Sequence, residues 1–303
     1  MPKTIDVIIP ICKPNKSFNN IVGRLFSQTK KINNVILLQT LEDQEKILIN
    51  KDKRVKIIPI RKESFNHGLT RKRGVKYSQA DIVIFMTQDA VPKDKYLVEE
   101  LIGPFEKDAS VAISYARQEA NSSASLIETY TREFNYPPKD VMKSSKSVAT
   151  MGIKTYFVSN SCAAYERKIY DKLGGFENVI FAEDMMYAIK AINSGYKIAY
   201  TSKACVIHSH NTSLKDQFKR NFDIGVLHKQ HQSIFSNISS ESEGLKMVKN
   251  IMIRLIRRGH IREAFYYLML CAAKYTGYKV GKNYDLLSKQ MILRLTLNKG
   301  FWK

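Results

Sequence analysis

The chain has 303 residues, 44% of them hydrophobic, with 49 Lys and Arg against 28 Asp and Glu for a formal charge of +21. That apolar content excludes wholesale disorder and suits one large domain, or one domain with an appendage. The charge calls for an anionic partner: nucleic acid, an anionic lipid surface or a phosphorylated substrate.

No apolar run approaches the ~20 residues of a membrane span; the longest candidate is AFYYLMLCAA at 264–273. The start, MPKTIDVIIPI, lacks the long apolar region and small-residue cleavage site of a signal peptide. Cys12, Cys162, Cys205 and Cys271 are scattered without metal-type spacing and read as free thiols of a reducing compartment. The expectation is a cytosolic protein that touches a membrane surface.

In chain order, IDVIIPI (5–11), NVILLQ (34–39), VKIIPI (55–60) and DIVIFMT (81–87) are short runs rich in Val and Ile without period-2 alternation, the pattern of buried strands. Helix patterns lie between them: Ser17 opens SFNNIVGRLFSQT, and GLTRKRGVKYSQ covers 68–79. This alternation predicts a mostly parallel sheet with helices on both faces, which binds ligands at the carboxyl ends of its strands near a switch in strand order. Asp89 and the residues Lys13–Asn15 stand at such ends. After 110 come a strand, a polar segment, a helix stopped by Pro137-Pro138, and a lysine-rich stretch at 139–155 that reads as a loop. Glu183 and Asp184 then open a helix that ends at Gly195, with Met185, Ile189 and Ile192 as its apolar stripe. From about 236 the chain is helical and basic, and it has no internal repeat.

Several residues carry chemistry, each beside a plainer reading. Asp89 at a strand's carboxyl end suits a divalent ion that takes oxygen ligands and bridges substrate phosphates. It also suits an N-terminal cap for a helix beginning near Pro92. The histidines of HSH (208–210) follow the short strand ACVI and suit a metal, or ordinary hydrogen bonding. RKR (71–73) near a helix start suits a diphosphate, or a solvated face. Their shared location at strand ends of one sheet favours the chemical readings.

The blocks IIP (8–10), FNHGLTR (65–71), FMTQDAVP (85–92), ARQEA (116–120), FNYP (134–137), SNSCAAYER (159–167), LGGF (173–176), FAEDM (181–185), HSHNTS (208–213) and RNFDIGV (220–226) occur in the order seen in family 2 glycosyltransferases. The chain resembles that family over about residues 4–230, and more narrowly its bacterial rhamnosyltransferase branch, which uses dTDP-L-rhamnose. The resemblance implies a GT-A fold, Rossmann-like, over residues 1–235, with a helical basic appendage over 236–303. It also implies inversion at the sugar's anomeric carbon and a bacterial surface polysaccharide as product. By the same resemblance Asp184 is the general base, with Glu183 orienting the acceptor or the loop. Asp89 is the surviving acid of an acid-x-acid motif whose first acid is here Thr87, and His208 is the second ligand of Mg²⁺ or Mn²⁺. Donor contacts fall on Pro10, Cys12, Gln39, His67, Arg71, Thr87, Gln88, Asp89 and Arg117, and acceptor contacts on Asn160, Ser161 and Gly175.

The chain departs from the family pattern in places. LLQTLED (37–43) replaces the Asp-Ser-Gly-Ser-like stretch that reads the donor base, so Gln39 and Thr40 stand there; Lys72 replaces an Asn. The Gln-x-x-Arg-Trp pattern of processive synthases survives only as QFKRN (217–221), so a single-addition transferase is expected. A transferase of glucose, galactose or N-acetylglucosamine from a UDP donor is the alternative. A nucleic-acid-binding protein would explain the charge, yet RNA-recognition aromatics, zinc fingers and a basic recognition helix are all missing. A catalytically dead sugar-binding module is opposed by the acids at 184 and 89.

Residues 244–303 hold 13 Lys and Arg against Glu263 and Asp285. The positions 245, 248, 252, 255 and 256 of LKMVKNIMIRLIRR make one apolar stripe, with Lys246, Lys249, Arg254 and Arg257 mainly on other faces. The tail reads as an interfacial platform for anionic lipid, with Trp302 dipping among headgroups beside a lipid-linked glycan acceptor. The plainer reading is a helical pair packed with a solvated basic side.

Overall fold

The computed structural model describes residues 3–14, 18–42, 48, 50, 52–210, 213–236 and 241–303, the last stretch without the side chains of 241 and 242. Ser17 and Asn15, expected at a helix start and a strand end, lie outside the described residues. The chain divides into two compact units. One comprises the chain through Glu119, Tyr136–Asn178 and Glu183–His208; the other comprises Ala120–Asn135, Val179–Ala182 and Ser209–Lys303.

The first unit is built on a nine-stranded sheet: β1 (Ile5–Ile11), β2 (Asn34–Leu41), β3 (Val55–Arg61), β4 (Ile82–Met86), β5 (Val91–Pro92), β6 (Val111–Glu119), β7 (Val141–Lys143), β8 (Cys162–Glu166) and β9 (Lys197–Ile207). The spatial order is 3-2-1-4-8-6-9-5, with β7 on β9. The four early runs pair in parallel, β1 lying between β2 and β4. Strand order reverses at β1, which opens a crevice past the carboxyl ends of β1 and β4. β8 runs antiparallel between β4 and β6, so the sheet is mixed rather than mostly parallel. A run buried on both faces has the same pattern in either direction, which is why the sequence does not reveal that reversal.

One face packs Val7, Ile9 and Ile84 against Phe18, Ile21 and Leu25 of the helix Phe18–Phe26 and Leu97, Leu101 and Phe105 of the helix Leu97–Lys107. Phe85 of β4 belongs to an aromatic cluster with Tyr165, Tyr170 and Phe176, at ring distances of 5.1–6.1 Å. The helix expected near Pro92 begins at Leu97; Val91 and Pro92 pair with β9 instead.

The lysine-rich stretch read as a loop is ordered. β7 pairs with β9, and Lys143 is buried, its Nζ donating to the carbonyls of Lys154 (3.0 Å) and Phe157 (2.6 Å). Burial pushes its pKa down to about 7. A polar composition gave no hint that one lysine turns inward.

The second unit is helical: Leu126–Asn135, Leu214–Gln230, Glu241–Arg257, Ile261–Lys282 and Lys289–Leu295 are its main helices. Gly277 and Gly281 lie against the backbone of Phe218 and Phe222 with no room for a Cβ, so the second and fourth of these helices pack backbone to backbone. Buried Asp223 fixes the final segment: it accepts from Thr296 Oγ1 (2.6 Å), the Leu297 N–H (3.1 Å) and Asn298 Nδ2 (2.9 Å). That explains the acid of RNFDIGV.

The helix Glu241–Arg257 buries Ile251 and Leu255 against Tyr130, Tyr267 and Leu270. Leu245 and Ile256, two of the five residues expected on the apolar stripe, are 70% and 52% exposed. Arg254, expected to face outward, pairs with Glu133 at 2.7 Å and lies 3.8 Å over the Tyr130 ring. Trp302 packs on Tyr284 at 5.4 Å rather than standing free. Among the described residues no helix is long and apolar enough to cross a membrane.

Candidate active site

The crevice begins with a clamp. Gln88, just past β4, accepts from the Cys12 N–H (2.8 Å) and donates to the Cys12 carbonyl (3.1 Å). Its amide thus fixes the strand-order switch, where Lys13 adopts φ +45. A non-glycine residue in that region carries strain and needs such support. Cys12 itself is exposed, and Pro10 pairs within the sheet opposite Leu38.

Asp89, 42% exposed at its side chain, faces His208: Oδ1 lies 3.4 Å from Nε2, and the imidazole is buried. His208 sits one residue past β9, and its Nδ1 bonds Gln118 Oε1 at 2.9 Å. The other end of that amide donates to Tyr136 Oη (2.6 Å) and Ser159 Oγ (2.8 Å). With Nε–H₂ committed to two hydroxyls, Oε1 accepts from Nδ1–H and leaves the Nε2 lone pair turned toward Asp89. A carboxylate and an imidazole lone pair offered to one point, with the imidazole held from behind, fit a divalent transition ion. Thr87 Oγ1, two residues before Asp89 in the chain, is buried without a hydrogen-bond partner among the described residues.

Glu183 and Asp184 open the helix Glu183–Asn193. Ala182 before them has φ +54, a second strained turn at the site. Glu183 is buried and ion-paired with Arg71 at 2.9 Å, and it accepts from Asn160 Nδ2 at 3.0 Å. Burial alone would raise its pKa; Arg71, His67 and the Asn160 bond outweigh burial and hold it below the usual range. Asp184 is half-buried. It accepts from the backbone N–H groups of Asn160 (3.0 Å) and Met185 (2.8 Å). Burial first, and the Glu183 charge second, lift its pKa well above the ordinary carboxylate range. The helix N-terminus does act to lower it, but loses to those two.

Gly68 lets the two acids and their cation meet. It sits in the helix His67–Val75, capped by Asn66, whose Oδ1 accepts from the Leu69 N–H at 2.9 Å. A Cβ on Gly68 would lie 2.8 Å from the Glu177 carbonyl and 3.0 Å from Glu183 Cβ. Arg71, expected on the donor, is buried, and its Nη1 donates to Glu183 and the His67 carbonyl. Lys72 donates to the Gly174 carbonyl at 2.7 Å.

The segment Ser159-Asn160-Ser161 ties the two halves together. Ser159 bonds Gln118, Asn160 bonds both acids, and the Ser161 carbonyl accepts from the Thr87 N–H at 3.3 Å. Asn160, expected on the acceptor, uses its Oδ1 to accept from Tyr165 Oη at 2.8 Å, so it positions rather than binds. Gly175, likewise expected there, is buried at φ +64 against the Tyr170 ring. Arg117 pairs with Glu119 at 3.6 Å. Gln39 is buried at the end of β2 and accepts from the Leu48 N–H at 2.8 Å; His67 is exposed, edge-on to Phe65 at 5.0 Å. Sequence reasoning missed Gln118, Tyr136 and Ser159, although all three stand in quoted blocks. β6 carries Arg117 and Gln118 on opposite faces, and Gln118 is the buried one.

A mixed α/β sheet with this crevice, a strand-end carboxylate and a half-buried helix-start carboxylate define a GT-A glycosyltransferase. Residues 6–174 match the family described as Glycosyl transferase family 2, and the chain belongs to it. It is 34% identical over 304 residues to the O-antigen chain rhamnosyltransferase RfbN of Salmonella typhimurium, covering 98% of this chain and 96% of that one. It is 38% identical over 251 residues to the O-antigen chain rhamnosyltransferase WbaN of Salmonella anatum, covering 81% and 78%. In fold it is similar to the mannosyltransferase PcManGT from Pyrobaculum calidifontis in complex with GDP-Man and Mn²⁺, with a TM-score of 0.62, 11% identity and coverage of 95% and 89%. The S. aureus TarS 1–349 structure gives 0.51, 12%, 93% and 91%.

Proposed function

We propose that this glycosyltransferase moves L-rhamnose from dTDP-β-L-rhamnose, with inversion, onto a hydroxyl of a lipid-linked O-antigen chain. The observation that carries the reading is the half-buried Asp184, raised in pKa and tied through Ser159–Ser161 to the Asp89–His208 pair. Two rhamnosyltransferases matched over most of their length support the donor and the product.

Asp89 and His208 would hold the ion, and an imidazole ligand favours Mn²⁺ over Mg²⁺. The ion supplies positive charge to the diphosphate. Asp184 takes the acceptor hydroxyl's proton as the oxygen attacks the anomeric carbon opposite the leaving dTDP. Glu183, paired with Arg71, stays ionised and raises the proton affinity of its neighbour. Gln118 and Asn160 act through His208 and the two acids, as positioning residues.

The second unit supports a place beside lipid. Its exposed Ile261 (61%) and Phe265 (67%) adjoin the exposed Ile256, among the many cations of the tail. The chemical test is release of dTDP from dTDP-β-L-rhamnose, compared with release of UDP from UDP-glucose, UDP-galactose and UDP-N-acetylglucosamine. The reading expects turnover of the dTDP-sugar at least about tenfold faster, a difference of ~1.4 kcal/mol. Preference for a UDP-sugar overturns the donor assignment.

A further inference from the structure

The second unit contains a groove of about 510 Å³, within the range of small-ligand sites. One wall is a single face of the helix Ile261–Lys282. Arg262, Tyr266, Leu270 and Lys274 recur every four residues along it, a row ~18 Å long at 1.5 Å per residue. The facing wall comes from the first turns of the helices Leu126–Asn135 and Leu214–Gln230, including Glu128 and Gln217. His210, two residues along the chain from His208, belongs to the same lining.

Arg262, Tyr266 and Lys274 make no hydrogen bond or ion pair with any described residue. Lys274 is the most telling of them. It is half-buried, and burial, followed by the neighbouring Arg220, lowers its pKa despite the opposing Cys271 and Glu128. Withdrawing an ammonium from water with no partner costs free energy that a ligand would recover.

The lining holds two cations, Arg262 and Lys274, and two acids, Glu128 and Glu263, and Glu128 is also paired with Arg132 at 2.7 Å. Hydrogen-bonding groups stand at the two ends, Arg262 and Lys274, with the flat Tyr266 ring, 41% exposed, between them. Such a row matches a neutral chain of hydroxyl-bearing rings with C–H faces, and its length spans several of them. Resting on the reading of this protein as a sugar transferase, we propose that the groove binds the acceptor glycan, holding several sugars of an uncharged oligosaccharide along the Arg262–Lys274 face.

The probe is a set of tri- to pentasaccharides released by mild acid from the O-antigen of the strain that makes the enzyme. Saturation-transfer NMR on the full chain should show ring protons contacting wild-type protein, and the saccharides should compete with the lipid-linked acceptor. Tyr266→Ala should raise the acceptor KM about tenfold, the upper end of one aromatic face, with kcat changed less than about twofold. Tyr266→Phe should restore the KM, and Lys274→Met should raise it as Tyr266→Ala does. An unchanged acceptor KM in both Tyr266→Ala and Lys274→Met overturns the proposal, as does a fall in kcat alone. Saccharides that neither bind nor compete overturn it as well. Wild-type dTDP release, measured without acceptor, tests the sugar-transfer reading separately.

Discussion

The general base proposed at Asp184 needs two properties that ordinarily conflict: access to a hydroxyl and an affinity for its proton. A carboxylate in water is a weak base, and a helix N-terminus weakens it further. Here the buried Glu183 charge alongside and the surrounding protein reverse that balance, while two backbone N–H groups keep the side chain in place. Asp184→Asn preserves shape but cannot accept the proton, so transfer should fall by ~10²–10⁴ with donor affinity retained. A rate near wild type would remove Asp184 from its role. The pH dependence follows from the sign of the shift. In the proposed role Asp184 works ionised, and its folded pKa is raised, so kcat/KM should decline as pH drops below neutral rather than only near pH 4. A limb at the ordinary aspartate position would contradict the burial argument.

At the scale of elements, the site is assembled by strands and turns whose sequence signals differ in clarity. β1 to β4 are legible because runs buried on both faces stay apolar without alternation, and Asp89 stands out as the acid that ends one. The pair at 183 and 184 is legible too. The uses of Arg71 and Asn160 are not, because ion pairing across 112 residues leaves no local pattern. Gly68 is read only as part of a block; its reason is a carbonyl 109 positions away. β6 delivers Gln118 to the back of His208, and that placement is testable. Gln118→Leu keeps the volume but leaves the imidazole unheld, so the Mn²⁺ concentration for half-maximal activity should rise ~10–100-fold. Titration of dTDP release against Mn²⁺ reads it directly, and an unchanged midpoint would mean that His208 is not a ligand.

For the whole molecule, the strong positive charge is proposed to act in the helical unit, beside an anionic lipid surface. Arg254 and Trp302 are taken up inside that unit, whereas Lys246, Lys249 and Arg257 stay exposed. Each cation near an anionic surface contributes ~1 kcal/mol. Lys246→Glu, Lys249→Glu and Arg257→Glu together should release the protein from phosphatidylglycerol vesicles in sedimentation while sparing dTDP release. Equal sedimentation of the triple variant would leave those charges as a solvated face. The central claim, a single displacement driven by one base, is tested most directly by the anomeric configuration of the product. Transfer from dTDP-β-L-rhamnose, followed by ¹H NMR of the new linkage, should give the α-rhamnoside. A β-rhamnoside would mean retention, and would contradict the role given to Asp184.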